Sequence, residues 1–179
     1  MALINYSYTP HLLFSSKTLH ETIKKNIIPC RLKEQEISLG TTYKNEIISA
    51  HTENLYVKYL GPLIGRGVFA TEEIKKNAFV GCYVGVVEPY DPYLDFNDYL
   101  YKYPLICETQ PLIINAKNYG NITRFINHSF SPNLSKHYAY CNHVFHVIFL
   151  ANRIIEKDEQ LFYDYGKSYW NLRGLPLNL

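Results

Sequence analysis

The chain has 179 residues, of which 47% are hydrophobic and 15% aromatic, and its formal net charge at pH 7 is +2. This length fits one domain with one core, and the weak charge gives no indication of direct nucleic-acid recognition. No apolar run is long enough to cross a bilayer, and residues 1–14 lack the features of a signal peptide. We expect an intracellular protein of the nucleus or cytoplasm, or of a host cell if the source is a bacterium or a virus.

Cysteines and glycosylation sequons give two early expectations. The cysteines are Cys30, Cys82, Cys107 and Cys141, with no C-x-x-C pair. Such spacing predicts reduced, buried thiols and no metal site. The N-x-S/T sequons begin at Asn121, Asn127 and Asn133. Without a secretory signal we interpret the sequons as accidental, so these asparagines need another role.

Residues 1–52 form an N-terminal extension with one clear helical pattern. Ser16 can cap a helix over Lys17–Ile28, which Pro29 ends. Its apolar stripe consists of Leu19, Ile23 and Ile27. We expect this stripe to pack against the main domain, although a role in choosing partners also fits.

From residue 53 the pattern has the period of β-strands. Alternation at 55–59 and the apolar run Phe79–Val87 each predict a strand. Between them lies G-R-G-V-F-A, Gly65–Ala70, which also fits a dinucleotide-binding turn. Too few residues follow Ala70 for a crossover helix, so we reject that interpretation. The glycines are expected to let the backbone approach a ligand.

A polar insert over about 88–104 precedes the later strands. Its segment Leu94–Tyr101 could form a short helix. The carboxylates of Asp91, Asp95 and Asp98 suit either a basic partner or a solvated loop. The run His143–Ala151 predicts a buried strand, and its histidines lack neighbours at metal-ligand spacing.

Two polar stretches stand apart from this pattern. Gly120–Asn133 is G-N-I-T-R-F-I-N-H-S-F-S-P-N, and Glu159–Gly166 is E-Q-L-F-Y-D-Y-G. The first is too polar for a buried strand and contains many turn-forming residues. In the second, Tyr163 and Tyr165 lie on one face of an extended segment. We predict that the two stretches meet and form one site.

In order and spacing, these segments resemble the motifs of SET-domain protein lysine methyltransferases. The resemblance spans roughly Leu55–Gly166. It implies a mostly β fold of several short sheets, with a C-terminal pseudoknot and here a partly helical N-terminal extension. It also implies S-adenosylmethionine as cofactor on one face and a lysine channel opening on the opposite face.

The resemblance also implies residue roles. Tyr165 matches the catalytic tyrosine, and Tyr163 the residue that influences how many methyl groups are added. Tyr99 is the expected channel tyrosine, with Tyr101 as its rival. The expected cofactor-binding residues are Gly65, Arg66, Gly67, Tyr83, Arg124, Phe125, Asn127, His128 and Trp170. A hydroxyl at Tyr163 can hold a water and so favours mono- or di-methylation.

The chain departs from the family pattern where zinc-bearing members carry cysteines. Phe130 replaces the cysteine after N-H-S, and no cysteine follows Gly166. We therefore expect no zinc, and we expect the tail, residues 167–179, to cover the cofactor through Tyr169 and Trp170. Two other departures, Val86 and Gln160, affect local salt bridges.

The predicted organisation is an extension (1–52), a SET domain (53–166) and a tail (167–179). The expected partner is a protein that presents a lysine, either a histone tail or a non-histone protein. No membrane partner is indicated, and the oligomeric state stays open. Two alternatives are an inactive SET-like module that binds a lysine-containing peptide and a purely structural β domain.

Overall fold

The computed structural model describes residues 5–26, 32–91, 97–104 and 111–171. Its helices are α1 (Lys17–Asn26), α2 (Glu34–Thr42), α3 (Lys44–Ser49) and α4 (Lys167–Trp170). Its strands are β1 (Ser7–Tyr8), β2 (Leu13–Phe14), β3 (Leu55–Gly61), β4 (Gly65–Ala70), β5 (Phe79–Tyr83), β6 (Val86–Pro89), β7 (Leu100–Tyr103), β8 (Leu112–Asn115), β9 (Tyr119–Gly120), β10 (Asn127–His128), β11 (Leu134–Cys141), β12 (Val144–Ala151) and β13 (Phe162–Tyr163). A 3₁₀ turn covers Ile122–Phe125.

The strands form several small sheets, which confirms the predicted fold class. One sheet has the order β2-β6-β8-β7, another the order β11-β12-β5, and β3 pairs with β4. Two further pairs, β1 with β9 and β10 with β13, are parallel and very short. Since no sheet is large, the packing between sheets has to hold the fold together.

The core lies between these sheets and is rich in aromatic side chains. Phe145, Phe149 and Ile148 of β12 are fully buried, as is Tyr103 of β7. The Phe145 N–H donates to the Tyr103 hydroxyl oxygen at 3.0 Å, which satisfies a polar group inside the core. Each fully buried side chain of this size contributes about 1.5–3 kcal/mol through removal of apolar surface from water.

The strand predictions hold with two adjustments. β3 and β12 lie where they were predicted, but His143 belongs to the turn before β12 and has a φ of 65°. The predicted strand Phe79–Val87 divides into β5 and β6. The chain passes from one sheet to the other at Gly85. A Cβ at this position would lie 2.5 Å from the Asn115 carbonyl oxygen, so the position requires glycine.

The helix predicted over Leu94–Tyr101 is wrong for the part that is described. Residues 97–99 form a turn, and Leu100–Tyr103 forms β7, paired with β8. Tyr101 and Tyr103 face the interior at period two, so burial of alternate tyrosines decides in favour of a strand. Residues 94–96 lie outside the described part of the chain.

In the extension, α1 begins where it was predicted. The Leu19 N–H donates to Ser16 Oγ at 3.0 Å, which is an N-terminal cap. Ile23 is buried in the main core, so the stripe packs as expected. Ile27 and Ile28 lie outside the described residues.

Helix α2 was not predicted, and it packs against β11. Gly40 is buried at this contact, where a Cβ would overlap the Tyr140 carbonyl. Backbone therefore meets backbone, and no side chain larger than hydrogen fits at this position. This close approach brings the N-terminal part of α2 to the edge of a cavity described below.

Candidate active site

The two polar stretches meet, as predicted. β10, which is Asn127–His128, pairs in parallel with β13, which is Phe162–Tyr163. The Tyr165 N–H also donates to His128 Nδ1 at 3.2 Å. The pairing forms the expected pseudoknot and places N-H-S beside Y-D-Y.

Two of the sequon asparagines make buried hydrogen bonds, and one of them, Asn133, joins the two stretches. Asn121 Nδ2 donates to the Cys82 carbonyl at 3.0 Å, and its Oδ1 accepts from the Thr123 N–H. Asn133 Nδ2 donates to the Gln160 carbonyl, and its Oδ1 accepts from the Phe162 N–H, both at 2.8 Å. Asn121 is 3% exposed and Asn133 is 1% exposed, so in the folded protein neither can carry a glycan.

The third sequon asparagine joins β10 to the glycine turn. Asn127 Nδ2 donates to the Arg66 carbonyl at 3.0 Å. Gly65 has a φ of 76° and open space where a Cβ would be, which suits close approach of a ligand. At Gly67 a Cβ would lie 2.6 Å from Gln160 Nε2. The expectation of ligand approach therefore fits Gly65, whereas Gly67 packs against the ends of the Gln160 and Leu60 side chains.

A cavity of about 340 Å³, hereafter the small cavity, opens beside this junction. It is lined by Leu63, Ile64, Gly65, Arg66, Asp98, Tyr99, Arg124, Phe125, Asn127, His128, Tyr165, Tyr169 and Trp170. Most of the predicted cofactor-binding residues are thus brought together. Gly67 and Tyr83 are not among them. Tyr83 is buried behind the wall, where its hydroxyl donates to the Tyr99 carbonyl at 2.8 Å.

Two ring nitrogens at this cavity are buried without a partner. Among the described residues, His128 Nε2 and Trp170 Nε1 have no hydrogen-bond acceptor. An unsatisfied buried donor costs about 1–3 kcal/mol, so such groups in a cavity wall indicate a ligand with acceptor atoms. The small cavity therefore fits a polar, partly aromatic cofactor.

The protonation of His128 follows from its surroundings. Asp164 Oδ1 lies 3.6 Å from His128 Nδ1, which would form an ion pair if the ring were charged. Burial lowers the pKa of His128, however, and this outweighs the opposing effect of the exposed Asp164 carboxylate. We therefore assign a neutral ring. Because Nδ1 accepts from the Tyr165 N–H, the proton resides on Nε2.

The charged guanidinium of Arg124 makes its contacts inside the protein. Its Nε donates to the Ala116 carbonyl at 2.7 Å and its NH2 group to the Lys117 carbonyl at 3.0 Å. Its guanidinium carbon lies 3.8 Å from the centre of the Tyr99 ring and 4.5 Å from that of Tyr6. Stacking of this kind stabilises a buried cation. These contacts therefore fix the position of Arg124, which lines the small cavity together with Phe125.

A second cavity, of about 640 Å³, lies on the other side of Tyr165 and is called the large groove. Its walls come from α2, β7, β8, β11 and the Y-D-Y segment. The lining residues include Glu36, Leu39, Tyr101, Lys102, Ile113, Lys136, His137, Tyr138, Tyr163 and Gly166. Tyr101 lies in this groove, whereas Tyr99 lies on the side of the small cavity.

In the part of the chain that the structure describes, Asp98, Tyr165 and Tyr169 are the residues that line both cavities. The Tyr165 hydroxyl donates to the Ile126 carbonyl at 2.9 Å. Its ring lies 4.8 Å from the ring of Tyr163, centre to centre. Burial raises the pKa of Tyr165 well above that of a free phenol, so its hydroxyl keeps its proton. A neutral, oriented hydroxyl thus stands between the two cavities.

The first part of the tail closes the small cavity. In α4, the Trp170 ring stacks on Tyr165 at 6.0 Å with an interplanar angle of 10°. The same ring lies 4.9 Å from His128, and Tyr169 lies 4.7 Å from Tyr165. Residues 172–179 lie outside the described part of the chain.

Several residues of the large groove were not predicted. Helix α2 contributes Glu36 and Leu39, and β11 contributes Lys136. None belongs to a recognisable motif. Lys136 follows Asn133 closely in sequence, but its place in the groove depends on β11, and that strand was not predicted.

Other features expected from the sequence can be reported for the described ranges only. There, Cys82 and Cys141 are free and buried, while Cys30 and Cys107 fall outside. No helix in these ranges is long and apolar enough to span a membrane. Within the same ranges no group of three or more His, Cys, Asp or Glu side chains could hold a metal ion.

The fold and the paired motifs define a known class of protein. The SET domain family matches residues 65–166, more than half of the chain. The chain therefore belongs to the SET-domain family.

The sequence is similar to several histone-lysine N-methyltransferases. EZH2 of Chaetomium thermophilum is 31% identical over 119 residues, which cover 60% of this chain and 8% of the relative. SUVH1 of Nicotiana tabacum, described as specific for H3 lysine-9, is 34% identical over 113 residues, covering 61% of this chain and 15% of the relative. The chain thus spans only a small part of these relatives.

Solved structures show the same fold. ATXR5 in complex with histone H3.1 superimposes with a TM-score of 0.67 at 21% identity, over 90% of this chain and 81% of that one. Apo ctPRC2 with mutations in Ezh2 superimposes with a TM-score of 0.59 at 26% identity, over 72% of this chain and 17% of that one. The likeness to ATXR5 extends beyond the SET motifs into the N-terminal extension.

Proposed function

We propose that the protein is an S-adenosylmethionine-dependent protein lysine N-methyltransferase. One observation carries this proposal: two cavities of different chemistry share a wall made of Asp98, Tyr165 and Tyr169. A methyl donor on one side and an amine on the other would meet across that wall. In-line transfer needs this alignment more than it needs an acid or a base.

The small cavity would hold the cofactor, which supplies a methyl group on a positively charged sulfur. The N–H groups of His128 Nε2 and Trp170 Nε1 would donate to its acceptor atoms, since both lack partners. The Gly65 backbone would approach the cofactor closely, because glycine has no side chain in the way. Phe125 and the Trp170 ring would exclude water from this cavity.

The large groove would receive the substrate lysine. Its aromatic wall, formed by Tyr101, Tyr138 and Tyr163, would remove water from the ammonium group and thereby lower its pKa. The Tyr165 hydroxyl, fixed by its hydrogen bond to the Ile126 carbonyl, would orient the neutral amine. No dedicated base is needed for this step.

The geometry favours a change in one assigned role. Tyr99 lines the small cavity and supports Arg124, whereas Tyr101 lines the large groove. We therefore assign the channel role to Tyr101. Tyr163 is buried in the same wall, and its hydroxyl would limit the space for a methylated amine, so we propose mono- or di-methylation.

We infer that the substrate is a histone or another protein. A solved structure of similar fold, ATXR5, is bound to histone H3.1, and the similar sequences are histone-lysine methyltransferases. A histone substrate would place the protein in the nucleus, whereas a non-histone substrate leaves the cytoplasm open. Of the acidic residues in the insert, Asp98 lines the groove, and Asp95 lies outside the described residues.

Two measurements test the proposal. First, the only tryptophan of the chain, Trp170, lines the small cavity, so its fluorescence should change saturably when S-adenosylmethionine is added. Second, labelled methyl groups should pass from S-adenosylmethionine to lysine in histones or in a cell extract.

Controls separate binding from chemistry. Tyr165→Phe should abolish the transfer, because it removes the hydroxyl between the cavities, while Tyr59→Phe alters an exposed tyrosine and should leave the transfer unchanged. Mass spectrometry of the product tests the role of Tyr163, and a mainly tri-methylated product would contradict it. Absence of cofactor binding would overturn the proposed function.

A further inference from the structure

The protein carries its own ammonium group in the groove proposed for the substrate lysine. Lys136 lies on β11 and its side chain lines the large groove. Its Nζ donates to the backbone carbonyls of Asp164 at 2.6 Å and Tyr165 at 3.1 Å. The same atom lies 5.6 Å from the centre of the Tyr163 ring and 5.9 Å from that of Tyr101.

Several charged and titratable groups surround this ammonium. Burial lowers the pKa of Lys136, and the Asp164 carboxylate opposes that effect. The two carbonyl acceptors stabilise the protonated form, so Lys136 is a cation at neutral pH. Burial raises the pKa values of Tyr101, Tyr163 and Tyr165, so these phenols stay neutral beside it.

Titratable groups on the other elements of the groove also contribute to the electrostatics around the Lys136 ammonium. His128, behind Tyr165, is neutral for the reasons given above. Lys33 and Glu36 line the groove at α2, as do Lys102 of β7 and His137 of β11. Burial, and after it the Glu36 carboxylate, raises the pKa of Tyr138. Asp98, at the shared wall, is exposed, so solvent screens its carboxylate more than it screens Lys136. Among the described residues, Lys136 is the cation whose charged group lies over the rings of Tyr101 and Tyr163.

We propose that Lys136 assists the proposed methyl transfer by lowering the pKa of the substrate lysine. This inference rests on the proposed function. A substrate ammonium that enters between Tyr101, Tyr163 and Tyr165 comes close to a fixed like charge, which favours its neutral form. The substrate proton passes to solvent. The freed lone pair of the amine then forms the new N–C bond as the bond between the methyl carbon and sulfur breaks.

The size of the effect follows from the distances in the groove. The rings that flank the incoming amine are less than 6 Å from Lys136 Nζ. At a separation of about 6–8 Å and an effective dielectric constant of about 20, a unit charge shifts a pKa by one to two units. We therefore expect the pKa of the bound substrate lysine to rise by about one unit when the charge of Lys136 is removed.

The first test is the pH dependence of methyl transfer for three variants. Lys136→Met removes the charge but keeps the length of the side chain, and Lys136→Arg keeps the charge. Lys157→Met removes an exposed charge outside both cavities. We expect Lys136→Met to move the inflection of the rate by about one pH unit upward, with equal rates at high pH. Lys136→Arg and Lys157→Met should follow the wild-type profile.

A merely structural role for Lys136 would give a different result. Its two hydrogen bonds hold the segment that carries Tyr165. If only those bonds matter, Lys136→Met should lower the rate equally at every pH. That outcome, or an unchanged profile, would overturn the inference.

The second test does not depend on turnover. A histone H3 peptide with ¹³C at Cε of its lysines is titrated by NMR while bound to the cofactor-free protein. The pKa of the bound lysine should be about one unit higher with Lys136→Met than with the wild type. If the peptide is methylated but this pKa does not differ, the inference alone fails. If the peptide neither binds nor is methylated, the groove is not a lysine channel for this probe, and the inference falls with it.

Discussion

The two cavities are built from different kinds of sequence. The small cavity is lined mainly by the glycine turn, by N-H-S and by residues near them in sequence, and it is completed by Asp98 and Tyr99 of the insert and by Tyr169 and Trp170 of the tail. The large groove combines the Y-D-Y segment with α2, β7, β8 and β11, which are distant in sequence and carry no motif. The proposed cofactor cavity can thus be recognised largely from local motifs, whereas the proposed substrate groove depends on how separate elements pack.

The largest effect is expected at the junction of the two polar stretches. Asn133→Ala removes the side chain that bonds to the Gln160 carbonyl and the Phe162 N–H. Because buried groups lose their partners, the free energy of unfolding should fall by about 3 kcal/mol. Urea denaturation measures this difference.

A matched variant is available for this experiment. Asn152 is exposed, and its Nδ2 donates to the Pro132 carbonyl at 2.9 Å. Asn152→Ala should cost less than about 1 kcal/mol. Equal losses in the two variants would contradict the role given to Asn133.

Gly40→Ala should disturb the groove alone. Alanine would stabilise an isolated helix by about 1 kcal/mol relative to glycine, but its Cβ would overlap the Tyr140 carbonyl. We expect the overlap to dominate and stability to fall by about 2 kcal/mol. Thermal unfolding measures it, with the exposed Ser38→Ala on the same helix as control.

The same variant separates the two cavities functionally. Gly40→Ala should weaken peptide binding by moving α2, while cofactor binding, followed through Trp170 fluorescence, should remain as in the wild type. A comparable loss of cofactor affinity would show that the two cavities are not built independently.

Trp170→Phe should affect the small cavity alone. The change keeps an aromatic ring but removes Nε1, which has no partner among the described residues. Losing one hydrogen bond to the proposed cofactor should weaken its binding about tenfold. Calorimetry measures that affinity, since the variant has no tryptophan, and peptide affinity should not change.

The smallest effect concerns a surface ion pair below the junction. The hydrogen bond from Arg153 holds the pKa of Glu159 below its ordinary value. A lowered pKa in the folded state stabilises the protein above the unfolded pKa of about 4.3, and this contribution is lost as pH falls through the folded pKa.

We expect Glu159→Gln to lower stability at pH 7 by less than about 1 kcal/mol, because Arg153 is half exposed. The difference between wild type and variant should vanish in acid. Denaturation at neutral pH and near pH 3 measures it, and a difference that persists in acid would rule out the ionic contribution.

The sequence predicts features that depend on local patterns better than features that depend on contacts between distant elements. The junction of N-H-S with Y-D-Y, the cap at Ser16 and the strands β3 and β12 follow from local patterns. Helix α2 does not, since Gly40 and the two threonines after it have low helix propensity and the helix depends on contact with β11. The proposed assignment of the channel role to Tyr101 rather than Tyr99 likewise depends on whether residues 100–103 form a helix or a strand.

The thin wall between the cavities has a consequence for ligand design. Among the described residues, Asp98, Tyr165 and Tyr169 line both spaces, so one molecule could place a nucleoside-like part on one side and an amine on the other. Tethering two weak fragments makes the second binding event intramolecular, at an effective concentration in the millimolar range for a short linker. Such a bivalent compound should bind far more tightly than either fragment, and selectivity for this protein would come from the half that fills the groove.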